Sequence, residues 1–249
     1  QSITVQGCDV GPLSQKGIFL TNAIASVIYC NKVHDIVFPA AYASSSGRTA
    51  GIQLTNGLNG HIEKNTVDNI GNLRLSEASA TNGRCYGIRF QGFPIATDAS
   101  FDFVNTGGKF RNNIITRVLG SGAIATFRDI GLEDGGSLRD SLLHNTIYMT
   151  GSAGPNFEPS CCIQIFTAGR GSFGADIARS MSYNALYVND RASGGAEHVC
   201  VRPFDDAGAD YRALSNNNVL YSPNPDGEVG PGYPNVPAWQ GYNAGNDGA

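Results

Sequence analysis

Two stretches of the chain align residue for residue. Gly17-Ile18-Phe19-Leu20-Thr21-Asn22, continued to Ile36, falls without a gap on Gly51-Ile52-Gln53-Leu54-Thr55-Asn56, continued to Ile70. The offset is 34 residues. Gly, Ile, Leu, Thr and Asn recur in place, and then Ile, Asn, Val and Ile. A unit this short cannot bury an apolar face alone, so a period in this range demands that units stack on one another.

The best-kept element is Asn-x-apolar, which occurs at Asn31, Asn65, Asn113, Asn145, Asn184 and Asn218 with spacings of 34, 48, 32, 39 and 34. Three residues before these sit Ile28, Ile62, Phe110, Leu142, Met181 and Ser215, all apolar but the last. Each unit therefore reads as two short strands of period two with an Asn between them. Asn tolerates the left-handed backbone region that a sharp bend needs. Stacked Asn residues can also bond one another's amides along a column.

A third strand is expected before each pair: Gly17 to Asn22, Gly51 to Asn56, Gly87 to Gln91, a weaker one near Ala123 to Phe127, Cys162 to Phe166, and His198 to Arg202. Its inward residues would be Ile18/Leu20, Ile52/Leu54, Ile88/Phe90, Ile163/Ile165 and Val199/Val201. Three strands per unit, short turns and no helical periodicity describe a parallel β-helix. The leucine-and-Asn consensus of leucine-rich repeats is missing, and sandwich strands would not recur in register.

Gly87-Ile88-Arg89-Phe90, Arg111-Asn112-Asn113-Ile114-Ile115, His144-Asn145-Thr146-Ile147-Tyr148 and Asn216-Asn217-Asn218-Val219-Leu220-Tyr221 resemble the right-handed parallel β-helix repeat proteins, above all large secreted bacterial surface proteins. Members often close a coil set with Asn-Leu-Tyr, a loop, a Trp-Gln segment and Gly-x-Asp. Pro237-Ala238-Trp239-Gln240 and Gly245-Asn246-Asp247 are similar to that ending. The resemblance covers nearly the whole chain and implies the fold. It implies no single function, because lyases, hydrolases, tailspikes, adhesins and passive stalks share it.

Composition narrows the classes. Charged residues make up 15% of the chain and the net charge is −4, which argues against nucleic acid. No apolar run is long enough to cross a bilayer, so no membrane insertion is expected. The cysteines Cys8, Cys30, Cys85, Cys161, Cys162 and Cys200 lack zinc spacing. An even count in a charge-poor, Gly/Asn/Ser-rich chain suits a secreted, extracellular or cell-surface protein, and buried thiols are the competing reading. Cys162 with Cys200, one position further along the matching strand, and Cys8 with Cys30 are the disulfide candidates. Which member of the vicinal Cys161-Cys162 pair would bond stays open.

Insertions fall at Val37 to Ala50, Gly71 to Tyr86 and Gly151 to Cys161, and, on another side, at Gly92 to Gly108, Arg128 to Asp140, Thr167 to Ser180 and Pro203 to Leu214. Such one-sided insertions either form a binding surface or are merely tolerated. Two regions are expected: a β-helix over 1–222 and a Pro/Gly-rich C-terminal cap or tail over 223–249. Trp239 would cover the last coil. Ser2-Ile3-Thr4-Val5 reads as a strand with no amphipathic cap before it. The partner expected at that first coil is a second copy or a preceding domain.

Three groups of residues could carry chemistry. Glu133, Asp134, Asp205 and Asp206 lie in acid-rich insertions and are the catalytic candidates. Clustered acids suit calcium, and paired carboxylates suit glycoside hydrolysis. Arg128, Arg139, Arg170, Arg179, Arg202 and Arg212 sit in or beside the same loops, so surface ion pairing is the plainer reading. No metal site is assigned, and no cofactor is expected unless those loops hold calcium. By the resemblance, calcium-dependent pectate lyases carry acids on the outer side of one strand stack. The outward residues of the third strand here read Phe19, Gln53, Arg89, Gln164 and Cys200, with no acid. The hydrolase motifs of the fold are absent apart from Asp205-Asp206, and none of the four histidines has a Ser or Cys partner at a recognisable spacing. Finally, Tyr148, Tyr187 and Tyr221 each follow a ladder Asn by three residues, where earlier coils hold His34, Asp68 and Thr116. They would form an outward row at about 4.8 Å per coil, either a self-stacking ladder or a surface for sugar rings.

The expected protein is thus one right-handed parallel β-helix of about six coils with an irregular cap. Its expected role is non-catalytic, extracellular, structural or adhesive, with end-to-end assembly into a fibre. A polysaccharide lyase or glycoside hydrolase, and a carbohydrate-binding module, are the alternatives.

Overall fold

A computed structural model describes residues 2–38, 49–57, 59–72, 85–92, 108–120, 129–135, 141–149, 160–166, 179–182, 185–188, 198–204, 213–216 and 218–221. All regular elements among the described residues are strands. The first set is β1 (Thr4–Gln6), β2 (Asp9–Val10) and β3 (Lys16–Thr21). Next come β4 (Val27–Tyr29), β5 (Lys32–Phe38) and β6 (Thr49–Gly57), then β7 (His61–Glu63), β8 (Thr66–Asn72) and β9 (Cys85–Gly92). They are followed by β10 (Lys109–Arg111), β11 (Ile114–Gly120) and β12 (Asp129–Gly135), and by β13 (Ser141–Leu143), β14 (Thr146–Met149) and β15 (Ser160–Phe166). The last are β16 (Arg179–Ser182), β17 (Ala185–Val188), β18 (His198–Phe204), β19 (Ala213–Asn216) and β20 (Val219–Tyr221).

Every third strand pairs, and all named pairings are parallel. The first sheet runs β1-β4-β7-β10-β13-β16-β19, the second β2-β5-β8-β11-β14-β17-β20, and the third β18-β15-β12-β9-β6-β3. Three parallel sheets visited in rotation are compatible with a β-helix. Among the described residues, two sheets have seven strands, against about six coils expected. The extra rung is β1 and β2, which the repeat alignment passes over because their offset is 23 residues and Cys8 stands where later coils have Asn.

The inward residues of the three sheets form one apolar cluster that includes Ile28, Ile62, Phe110 and Leu142, Val33, Val67, Ile115 and Ile147, and Ile52, Leu54, Ile88 and Phe90. Phe90 and Phe110 meet edge to face at 5.2 Å between ring centroids, which ties the third sheet to the first.

The bend between first-sheet and second-sheet strands differs from the expected one. The left-handed residues are Cys30, Lys64, Asn112 and His144, at φ 54°, 55°, 54° and 57°, each just before the ladder Asn. The Asn itself is buried, and its side chain bonds along the stack. Asn31 Nδ2 donates to Asn65 Oδ1 at 3.0 Å, Asn65 Nδ2 to Asn113 Oδ1 at 3.1 Å, and Asn113 Nδ2 to Asn145 Oδ1 at 3.0 Å. Each amide also donates to a carbonyl one coil back, at Val5, Ile28, Ile62 and Phe110. Asn218 is buried and Asn184 lies outside the described residues.

In the third sheet, the strand expected near Ala123 to Phe127 falls outside the described residues. The strand that occupies its place is β12, inside the stretch read from sequence as an acid-rich insertion.

Candidate functional site

Polar residues gather in register rows on two of the sheets. On the second sheet, one column runs His34, Asp68, Thr116, Tyr148, Tyr187, Tyr221 in continuous register. Beside it lies the column Asp35, Asn69, Arg117, whose residues take φ of 54°, 55° and 50°. The strands run on through these left-handed residues; Asp35 and Arg117 reach across to His34 and Asp68 in the first column, and Asn69 reaches Asp35, so that three coils share one polar network.

At its core, His34 Nε2 lies 2.8 Å from Asp9 Oδ1 and Nδ1 lies 2.7 Å from Asp35 Oδ2. Carboxylate oxygens only accept, so the doubly protonated imidazolium is the form that serves both contacts. The hydrogen bond to Asp35, and then that to Asp9, hold the His34 pKa above its ordinary value. Asn69 Nδ2 donates to Asp35 Oδ1, and this bond together with His34 keeps the Asp35 carboxyl below its usual range. Partial desolvation pushes Asp9 up, but His34 and Lys32 outweigh it and the net direction is down. One coil on, Arg117 grips Asp68 with Nε at 2.7 Å and with Nη2, while Thr116 Oγ1 donates at 2.6 Å. Arg117 is the main reason the Asp68 pKa is lowered.

The same face changes character along the stack. Early coils present Asp9, Lys32, His34, Asp35 and Asp68; β11 carries both Arg117 and the exposed Ile114; later coils expose Tyr148, Val219 and Tyr221. The backbone register places Tyr148, Tyr187 and Tyr221 at matching positions of successive strands.

The third sheet holds the other row. Its register aligns Phe19, Gln53, Arg89, Glu133, Gln164 and Arg202. This corrects the acid-free row read from the sequence: Glu133 belongs in it, and Arg202 rather than Cys200 ends it. The strand misplaced at Ala123 to Phe127 is what hid Glu133. Gln53 and Arg89 are buried, and Arg89 lies over the Tyr86 ring at 5.1 Å. Gln53 Nε2 donates to Thr55 Oγ1 at 3.0 Å, whereas Gln53 Oε1 and Thr49 Oγ1 are buried with no hydrogen-bond partner among the described residues. Asp134 falls one position on, in the row of Leu54, Phe90 and Ile165.

Glu133 and Asp134 are thus strand residues rather than loop residues, and Asp205 and Asp206 lie outside the described residues. Among the described residues, no cluster of three or more His, Cys, Asp or Glu could hold a metal ion. All six cysteines are thiols. Cys8 opposes Asn31 rather than Cys30, since Gln6 pairs with Tyr29 and Asp9 with Lys32. Cys200 is level with Cys162, not one position beyond it. The His34 network escaped sequence reasoning because its partners come from three coils, and only a register count joins them.

No protein-family model, no curated protein and no solved structure matches the chain.

Proposed function

We propose that the chain is a right-handed parallel β-helix, closed by its three sheets, that serves as a non-catalytic structural or adhesive body at a cell surface or outside the cell. The observation that carries this reading is the Asn31-Asn65-Asn113-Asn145 stack, bonded at every step and fully buried, which makes a stiff axis. The outer carboxylates agree with it. Asp9, Asp35 and Asp68 are each held by a base or an amide, with pKa values pushed down, whereas a general acid or base works best with a pKa near the operating pH.

End-to-end assembly is part of the same proposal. Among the described residues, β1, β2 and β3 are the outermost strands of their sheets on one side, and Ile3 and Leu13 are exposed on that rung, where a second copy or a preceding domain would sit. An unpaired strand edge is a template for a further strand. Size-exclusion chromatography and negative-stain images across a concentration series test it. Concentration-dependent rods are expected, and monomers under all conditions would rule assembly out.

A second reading, a polysaccharide lyase or glycoside hydrolase, is favoured by Glu133 standing in register between Arg89 and Gln164. Incubation with neutral and acidic polysaccharides, assayed for reducing ends and unsaturated products, separates the two. Product formation lost in Glu133→Gln would replace the non-catalytic reading. The tyrosine column favours sugar binding without catalysis, which glycan-array binding lost on Tyr148→Ala and Tyr221→Ala would establish.

A further inference from the structure

Only one pair among the six cysteines shares a rung position. In β15 and β18, Cys161 pairs with Val199 and Ile163 with Val201, so Cys162 stands level with Cys200. The earlier coils fill this row with Gly17, Gly51, Gly87 and Gly131. Both cysteines are buried in the same apolar cluster. Both sulfurs lean toward second-sheet carbonyls, Cys162 Sγ at 3.9 Å from Ile147 O and Cys200 Sγ at 3.5 Å from Tyr221 O. Both therefore lie on the inward side of their strands, toward carbonyls two rungs apart, so a χ1 rotation brings the sulfurs together. Neighbouring strands are about 4.7–4.9 Å apart, inside the roughly 4.4–6.8 Å Cα window of a disulfide.

We propose that Cys162 and Cys200 form a rung-to-rung disulfide when the chain folds in the presence of a small-molecule disulfide such as oxidised glutathione. The Cys162 thiolate attacks one glutathione sulfur, and one glutathione thiolate leaves. The Cys200 thiolate then attacks the Cys162 sulfur of the mixed disulfide, and the second glutathione thiolate leaves. The protein gives up two protons and two electrons, which the reagent takes up as two glutathione thiols. The step belongs to folding. Once β18 has docked, both side chains are buried and burial pushes the Cys200 thiol up to about 12, so the attacking thiolate is scarce.

The test is to refold the reduced full chain in a glutathione redox buffer, alkylate the remaining thiols, and map the peptides by mass spectrometry. The expected product has one Cys162–Cys200 cross-link, with Cys8, Cys30, Cys85 and Cys161 alkylated after denaturation. Cys161→Ala should keep the cross-link, and Cys162→Ala or Cys200→Ala should abolish it. Already folded, reduced protein exposed to the same buffer should cross-link far more slowly. Four outcomes would overturn the proposal: six alkylated cysteines after refolding, a Cys161–Cys200 or Cys8–Cys30 bond, a cross-link that survives Cys162→Ala, or equal rates from folded and unfolded protein. The mapping on the unsubstituted chain stands even if a variant fails to fold.

Discussion

Asn65 donates twice to one atom, Asn113 Oδ1: from its backbone N–H and from its side-chain amide, both at 3.1 Å. Its second amide hydrogen goes to Ile28 O at 2.9 Å, and its own Oδ1 takes the backbone and side-chain N–H of Asn31, both at 3.0 Å. Every group involved is buried, so water does not replace a lost partner.

Asn65→Ala should therefore be costly beyond its size. It strands the Asn31 donors and the Ile28 carbonyl in one place. Each buried group left unsatisfied costs about 1–3 kcal/mol, and a loss of about 3–5 kcal/mol is expected after local relaxation. Urea denaturation followed by circular dichroism measures it. A change below about 1 kcal/mol, the size of an ordinary substitution, would show that the stack is incidental to stability.

The His34 contacts predict a pH window. The folded His34 pKa is raised above 6.5, so its contribution is full below 6.5 and fades as pH rises through the folded value. Asp9 and Asp35 are lowered from 3.8, so theirs is full above 3.8 and fades as pH falls through their folded values. The three overlap between 3.8 and 6.5. The melting-temperature advantage of the unsubstituted chain over His34→Gln should be largest there and shrink at higher pH. A proton NMR titration should place the His34 midpoint above 6.5. A midpoint at or below that value would dissolve the network as described.

The residues that could be read and those that could not are separated by one physical division. Asn31, Asn65 and the Val33/Val67 and Ile36/Ile70 positions were readable because a 34-residue offset without gaps keeps inward and outward faces in phase. Strand β12 was not, because Asp129-Ile130-Gly131-Leu132-Glu133-Asp134 looks like an acidic loop when judged by composition. Its apolar alternation is confined to Ile130 and Leu132, and the better signal, Gly131 continuing the Gly17-Gly51-Gly87 row, needs the register first. The first rung was legible only in part: the strand read at Ser2 to Val5 overlaps β1, while β2 and its place in the stack were hidden for the opposite reason. Cys8 takes the ladder's place through its backbone N–H, bonding to Asn31 Oδ1 at 3.0 Å, and needs no Asn side chain to do so. The His34–Asp9 and Arg117–Asp68 contacts depend on side-chain torsions that no period encodes.

Phe110 joins two sheets, through its edge-to-face contact with Phe90. Both are fully buried. Phe110→Ala removes a ring from a dry interior and should cost about 3–5 kcal/mol. Phe110→Leu keeps most of the volume and should cost less than half as much. Denaturant midpoints at constant slope decide it; equal losses from both variants would mean that the edge-to-face geometry, and not the filled volume, is what matters.

Gly51 and Gly7 predict losses of different origin. A Cβ on Gly51 would lie 2.5 Å from Val67 Cγ1 and 2.8 Å from Gly87 O. The valine can rotate, but the carbonyl belongs to the next coil's backbone and is fixed by the ladder around it. Gly51→Ala should then cost about 1–3 kcal/mol through overpacking, and Gly51→Ala combined with Val67→Ala should recover little, because the backbone oxygen remains. Gly7 has open space around its Cα but φ of 66°. Gly7→Ala should cost about 1 kcal/mol through backbone conformation alone, and Gly7→Asn less, since Asn visits that region more readily. Thermal and urea unfolding of the four variants test the pair. If Val67→Ala fully rescued Gly51→Ala, the spacing between coils at this row would be set by side chains and not by the stacked backbone.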